Sequence, residues 1–203
     1  MFSIILPSYL GYYKRACKDR ERKLIRAIES VLNQKEPFEL IVIADGCEDT
    51  IKIVSKYTDE HRQGLIRLIE LDKQRPFSGV PRNTGIGFAK GEMICYLDSD
   101  DIFGTDHLQV LKSQFNGQDW IFFNDLTWNG QEFEERTCQI KPYQCGTSNI
   151  AHKKSMSSRW NPVNEYGKDD WNFIQNLKQE SDNWTKTECG SYCVCHIPGK
   201  YEI

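Results

Sequence analysis

The chain has 203 residues, 39% of them hydrophobic and 27% charged, with a net charge of −3. That is enough for one domain with a real core, and the composition is that of a soluble globular protein. The weakly acidic balance offers no bulk basic field for nucleic acid, and no apolar stretch approaches the length of a membrane span.

The order along the chain is strand, helix, strand, helix. The opening, Met1-Phe-Ser-Ile-Ile-Leu-Pro7, has neither a basic leader nor a cleavage site, so it reads as a strand that starts the fold at once. Its strand is Phe2 to Leu6, ended by Pro7. Glu21 to Gln34 places Leu24, Ile28, Val31 and Leu32 on one helical face. Phe38 to Ala44 is a buried strand running into Asp45-Gly46, and Asp49 reads as the cap of the next helix. Leu65 to Leu71 alternates as a third strand. Arg82 to Lys90 suits a short helix ending at Gly91. Met93 to Leu97 is a strand, Thr105 to Phe115 a helix, and Trp120 to Phe123 a strand. Strands alternating with helices imply a mostly parallel sheet covered on both faces.

After Asn124 the pattern changes. Trp128 to Ile140 reads as a polar hairpin with Asn129-Gly130 as a tight turn. Ser148 to Ser158 and Asp169 to Lys178 read as helices, and Glu188 to His196 as a final strand. Residues 1–123 form a nucleotide-type half and residues 124–203 an acceptor-type half of one domain. No convincing terminal element follows His196, which leaves room for a longer polypeptide. The eight cysteines include no Cys-x-x-Cys pair, so free thiols in a reducing, cytoplasmic compartment are expected. Cys193-Val-Cys195-His196 has the wrong spacing for a zinc finger or ribbon.

The richest chemistry lies in Asp98-Ser-Asp-Asp101, three carboxylates within four residues at the end of an apolar strand. Carboxylates so close repel one another unless a cation sits among them, and hard divalent ions take oxygen ligands together with phosphate oxygens. In open α/β sheets ligands bind beyond the carboxyl ends of the strands. The competing reading of the tetrapeptide alone is a solvated Asp-rich turn. Gly85-x-Gly87-x-x-x-Gly91 precedes a strand instead of following one, which excludes a dinucleotide fingerprint.

Four motifs in order resemble family 2 glycosyltransferases, inverting enzymes of the GT-A fold. They are Phe2-Ser-Ile-Ile-Leu-Pro-Ser-Tyr9, Ile28-Glu-Ser-Val-Leu-Asn-Gln34, the acidic turn of Phe38 to Thr50, and Gly79 to Asp101, which holds an Arg-Asn helix and a DxD motif. The likeness is strong over residues 1 to about 115. Beyond it, Gly167-Lys-Asp-Asp-Trp171 and Val194-Cys-His-Ile-Pro198 echo the family's catalytic and closing motifs. More narrowly, the opening resembles a glycosyltransferase encoded by chlorella viruses, which implies a viral protein in a host cytoplasm.

The resemblance implies a UDP-sugar donor, a glycan acceptor, and Mn²⁺ or Mg²⁺ as cofactor. It assigns Pro7, Ser8, Gly79 and Ser99 to the nucleotide-sugar. Tyr9 would stack on the base, where the plain alternative is a rim tyrosine. Asp45 would accept the uracil N3–H, against a simple turn aspartate. Arg82 would grip phosphate at a helix start, against an ordinary ion pair. Asp100 would be the direct metal ligand, with Asp98 beside it both at the metal and on the nucleotide-sugar, and His196 would complete the metal site, against a histidine with only a structural hydrogen bond. Asp169-Asp170 replaces the family's Glu-Asp, with Asp170 as the base and a helix-start carboxylate as the alternative. Thr147, Ser148 and His152 would lie near the acceptor. Two other classes fit the same motifs less fully: a non-catalytic nucleotide-sugar-binding module, and a sugar-1-phosphate nucleotidyltransferase, whose basic glycine-rich loop after the first strand is missing here.

Overall fold

The computed structural model describes residues 1–14, 16–74, 78–162, 168–188 and 190–203. Strand β1 (Phe2–Ser8) leads to helix α1 (Arg20–Leu32), β2 (Phe38–Asp45), and the short helices α2 (Glu48–Val54) and α3 (Thr58–Arg62). Next come β3 (Ile66–Leu71), α4 (Gly79–Phe88), β4 (Met93–Tyr96), β5 (Ile102–Phe103) and α5 (His107–Gln114). The second half contributes β6 (Trp120–Phe123), β7 (Asp125–Trp128), β8 (Phe133–Arg136) and β9 (Ile150–Lys153). It ends with α6 (Asp169–Glu180), β10 (Trp184–Thr187), β11 (Tyr192–Val194), β12 (His196–Ile197) and β13 (Tyr201–Glu202).

Seven strands form the main sheet in the order β10-β6-β9-β4-β1-β2-β3. All its pairings are parallel except those of β9, which runs antiparallel to both β4 and β6. A smaller sheet, β5-β11-β7-β8, stands beside it. The central strands are buried on both faces, which is why they read as continuous apolar runs. One face packs Ile4, Leu6, Leu40 and Val42 against Leu24, Ile28 and Val31 of α1. The other packs Ile5, Ile41 and Tyr96 with Ile86 of α4 and Phe173, Ile174 and Leu177 of α6. Buried Gln34 ties α1 to α5, donating to the Gly104 carbonyl at 2.8 Å and accepting from the Leu108 N–H at 3.0 Å. No helix among the described residues is long and apolar enough to cross a membrane.

Several expectations need correction. Strand β1 runs through Pro7 to Ser8, paired with Ile43 and Ala44. Its pairing with β4 ends at Ile5, so the missing Pro7 N–H costs no bond on that side. Asp49 lies within the first turn of α2, and Cys47 holds the cap position. Helix α4 starts at Gly79, three residues before Arg82. The largest miss is Ser148 to Ser158, where a single 3₁₀ turn (Thr147–Asn149) leads into strand β9. That strand is held by partners more than 25 residues away in sequence, so no local periodicity announces it.

Candidate active site

The carboxyl ends of β1, β2 and β4 deliver Tyr9, Asp45 and the Asp98–Asp101 turn to one edge of the main sheet. At the β2 end, Gly46 adopts φ +61°, and a Cβ there would meet the backbone of Lys73 at 2.5–2.6 Å. Only glycine allows this approach. It brings Lys73 Nζ to 2.5 Å from Asp45 Oδ2, while the Gln74 N–H donates to Asp45 Oδ1 at 2.7 Å. The same ammonium lies 4.1 Å from the Tyr9 ring centroid. Tyr9, Asp45 and Lys73 therefore make one cluster. A carboxylate offers about four acceptor positions, so Asp45 keeps capacity beyond these two donors. Ser8 is turned inward, its Oγ 2.8 Å from Thr50 Oγ1, and Pro7 is half-buried.

Asp98 takes an ion pair from Arg82 Nη2 at 2.8 Å. Arg82 is buried, with its guanidinium 4.5 Å from the ring of Trp160. Desolvation raises the Asp98 carboxyl above its ordinary value against the opposing pull of Arg82. Asn83 and Trp160 exchange backbone–side-chain bonds at 2.8 and 2.9 Å, clamping the arginine's neighbour in place. Gly79 lies under the Asn161 carbonyl, where no Cβ would fit, so its small size serves packing. Ser99 is half-exposed in the turn.

Asp100 sits beside His196, with Nδ1 to Oδ2 at 3.1 Å. Desolvation pushes the Asp100 carboxyl up, but the hydrogen bond and charge of His196 more than offset it and hold it below its ordinary value. The Arg26 guanidinium also donates to the Asp100 carbonyl at 3.1 Å. Cys17, a residue no sequence motif singled out, brings its sulfur within 4.8 Å of donor atoms of both Asp100 and His196. Desolvation, then the charge of Asp100, pushes the Cys17 thiol up to about 11. This oxygen–nitrogen–sulfur set fits a divalent cation. Asp101 points away from it: the Tyr192 hydroxyl donates to its Oδ2 at 3.0 Å and the Cys195 N–H to its Oδ1 at 2.7 Å. The same hydroxyl accepts the Asp98 N–H at 3.0 Å. Burial and the neighbouring acids raise Asp101 well above the usual carboxylate range.

Asp169 and Asp170 open helix α6, with Asp170 in the field of Arg82. Thr147 Oγ1 donates to Asp170 Oδ1 at 2.6 Å, so that expected neighbour of the acceptor does meet the expected base. Burial, and then the charge of Asp170, raise Asp169 to about 6. The other two neighbours do not reach the site. Ser148 bonds buried Asp125 at 2.7 Å, in a network with Arg136 and Asn149. His152 is fully buried in β9, between the Tyr96 hydroxyl at 2.7 Å and the Lys153 carbonyl at 2.9 Å. Desolvation drops its imidazole to about 4, so it is a neutral core histidine. Gly167 of the catalytic echo and Cys189 lie outside the described residues.

The family model for glycosyl transferase family 2 matches residues 3–179. The chain belongs to this family. A curated relative, the poly(ribitol-phosphate) β-N-acetylglucosaminyltransferase TarP of Staphylococcus aureus, is 35% identical over 120 residues, covering 56% of this chain and 32% of TarP. The solved structure of S. aureus TarS residues 1–349 with UDP-GlcNAc superposes with a TM-score of 0.76 at 16% identity, over 98% of this chain and 60% of that one. The mannosyltransferase PcManGT of Pyrobaculum calidifontis, solved with GDP-mannose and Mn²⁺, gives 0.68 at 13% identity, over 98% and 58%. This family 2 chain has the GT-A fold, with a large, mostly parallel sheet flanked by helices. It spans about a third of the length of TarP. Sequence reasoning found the acids at the strand ends. It missed Cys17, Lys73, Trp160 and Tyr192, whose roles come from contacts across the fold.

Proposed function

We propose that this glycosyltransferase moves a hexose from a UDP-sugar to a hydroxyl of a glycan acceptor by single displacement, with inversion, assisted by Mn²⁺ or Mg²⁺. The observation that carries the reading is the position of Arg82, which pairs with Asp98 and lies in the field of Asp170 as well. One buried cation thus links the donor turn to the helix start that bears the base. Tyr9 stacks on uracil, and Asp45 accepts its N3–H with Lys73 at the rim. Arg82 Nε has no hydrogen-bond partner among the described residues, which leaves a donor for diphosphate oxygen. Asp100 and His196 would hold the cation, which would supply charge neutralisation for the departing diphosphate. Asp170, oriented by Thr147, takes the acceptor proton as that oxygen bonds to the anomeric carbon. The anomeric carbon–oxygen bond to the diphosphate breaks, and UDP leaves with the electron pair. TarS with UDP-GlcNAc supports a uridine donor. GDP-mannose in PcManGT makes GDP the comparison that matters. The viral source and host-cytoplasmic location stay with the likeness of the opening residues.

Asp170→Asn keeps the side-chain shape and cannot accept the proton. It should retain UDP-sugar affinity and lose transfer by roughly a hundredfold or more. Calorimetry with Mn²⁺ should show UDP bound more tightly than GDP, and proton NMR of fresh product should show the anomeric configuration opposite to the donor's. Full transfer by Asp170→Asn, or a product with the donor's configuration, removes the base role. Donor binding with no transfer in the unaltered protein would mark a binding module instead.

A further inference from the structure

Cys17 is the one side chain at the cation position that the transfer reaction does not call for. It sits in the loop between β1 and α1, 5% exposed, and lines a cleft with Leu10, Asp19 and Arg20. Its Sγ, an Asp100 oxygen and a His196 ring nitrogen all lie within 4.8 Å of one another, and Asp100 and His196 are already 3.1 Å apart. Ligands on a tetrahedral ion with bonds of about 2.0–2.3 Å are separated by roughly 3.3–3.7 Å. The cluster therefore needs only a small contraction around Cys17 to close on such an ion.

The donor set decides which ion. Carboxylate oxygen suits Mg²⁺ and Mn²⁺, imidazole suits several transition ions, and thiolate favours the softer ones. Three protein ligands with an open fourth position are the usual arrangement of a reactive zinc site. Opposing charges lie nearby: Lys23 is in the field of both Cys17 and Asp100, Arg20 is in that of Cys17, and Arg26 bonds the Asp100 carbonyl. The Lys23 ammonium is paired to Glu202 at 3.4 Å, which draws it off the cluster.

We propose that Cys17, Asp100 and His196 form a mixed sulfur–oxygen–nitrogen site that selects thiophilic divalent ions, Zn²⁺ foremost, over Mg²⁺ and Mn²⁺. This rests on the reading of Asp100 and His196 as cation ligands. On binding, the sulfur–metal bond forms and the thiol proton is released to solvent. The ion then fills the position the transfer reaction needs, so Zn²⁺ competes with Mn²⁺ at the donor site.

Cobalt tests the sulfur directly, because thiolate bound to Co²⁺ gives an intense near-ultraviolet charge-transfer band that oxygen and nitrogen ligands do not. The full chain is titrated with Co²⁺, with and without UDP, alongside Cys17→Ser and Cys17→Ala. The unaltered protein should show the band and both variants should lack it. In competition with a chromophoric chelator, Zn²⁺ affinity should fall at least about tenfold in Cys17→Ser, the scale at which even outer-shell changes weaken metal sites. Bound cobalt with no thiolate band, or a band that survives both substitutions, overturns the Cys17 assignment and leaves Asp100 and His196 as cation ligands. An unaltered protein that binds neither Co²⁺ nor Mn²⁺ with UDP present overturns the cation reading, and this inference with it.

Discussion

Tyr192→Phe tests whether the acidic turn is held from below by one hydroxyl. Tyr192 is fully buried, and its oxygen accepts the Asp98 N–H and donates to Asp101 Oδ2, both at 3.0 Å. Phenylalanine keeps the ring contacts with Phe103 and His107, so packing changes little. What is lost is two hydrogen bonds whose partners stay behind. A buried group left unpaired costs about 1–3 kcal/mol. Asp98 is partly exposed, so its N–H recovers some solvation, whereas Asp101 is buried and, among the described residues, keeps only the Cys195 N–H on its carboxyl. Together these put the loss at roughly 2–4 kcal/mol. That is a large share of the 5–15 kcal/mol typical of a domain. Urea unfolding followed by circular dichroism and tryptophan fluorescence should show a lower midpoint with an unchanged slope. Mn²⁺-dependent UDP binding should weaken as well, because the turn that carries Asp98 and Asp100 loses its anchor. A change below about 0.5 kcal/mol, the scale of neutral surface substitutions, would refute the argument.

Two further expectations concern stability. Desolvation drops buried His107 to about 3, with Nδ1 2.8 Å from Ser191 Oγ. Its folded value lies below the ordinary 6.5, so the unfolded chain binds the extra proton and stability is lost as pH falls from 6.5 towards 3. Between pH 7.5 and 5.5 this amounts to about 1.4 kcal/mol. His107→Asn, which can keep a bond to Ser191, should lose that much less over the same interval, and parallel stability–pH profiles would contradict it. Gly91 packs against the start of β1, where a Cβ would meet the Met1 carbonyl oxygen at 2.7 Å and backbone atoms of Phe2 and Ser3 at 2.8 Å. Because backbone cannot swing aside, Gly91→Ala should destabilise by about 1–3 kcal/mol. An unshifted urea midpoint would show that the junction is looser than it looks.

The opening strands, helix α1 and the acidic turn after β4 were legible because each is a local pattern. Phe38 to Asp45 is a buried apolar run ended by a polar turn, and Leu24, Ile28 and Val31 repeat at helical spacing. Carboxylates at strand ends followed from the same pattern, since a parallel sheet presents those ends together. Tertiary structure alone decided the rest. Residues 150–153 are a strand because β4 and β6 leave an antiparallel gap between them, and His152 became core there instead of an acceptor contact. Lys73 reaches Asp45 across the β2–β3 edge, 28 residues away. Tyr192 bonds Asp101 across 91 residues, and His196 meets Asp100 across 96. Side chains that pair at such separations leave no periodic mark in the sequence. Their contacts depend on how the sheets and loops pack, which sets which hydroxyl, thiol or imidazole arrives beside each acid.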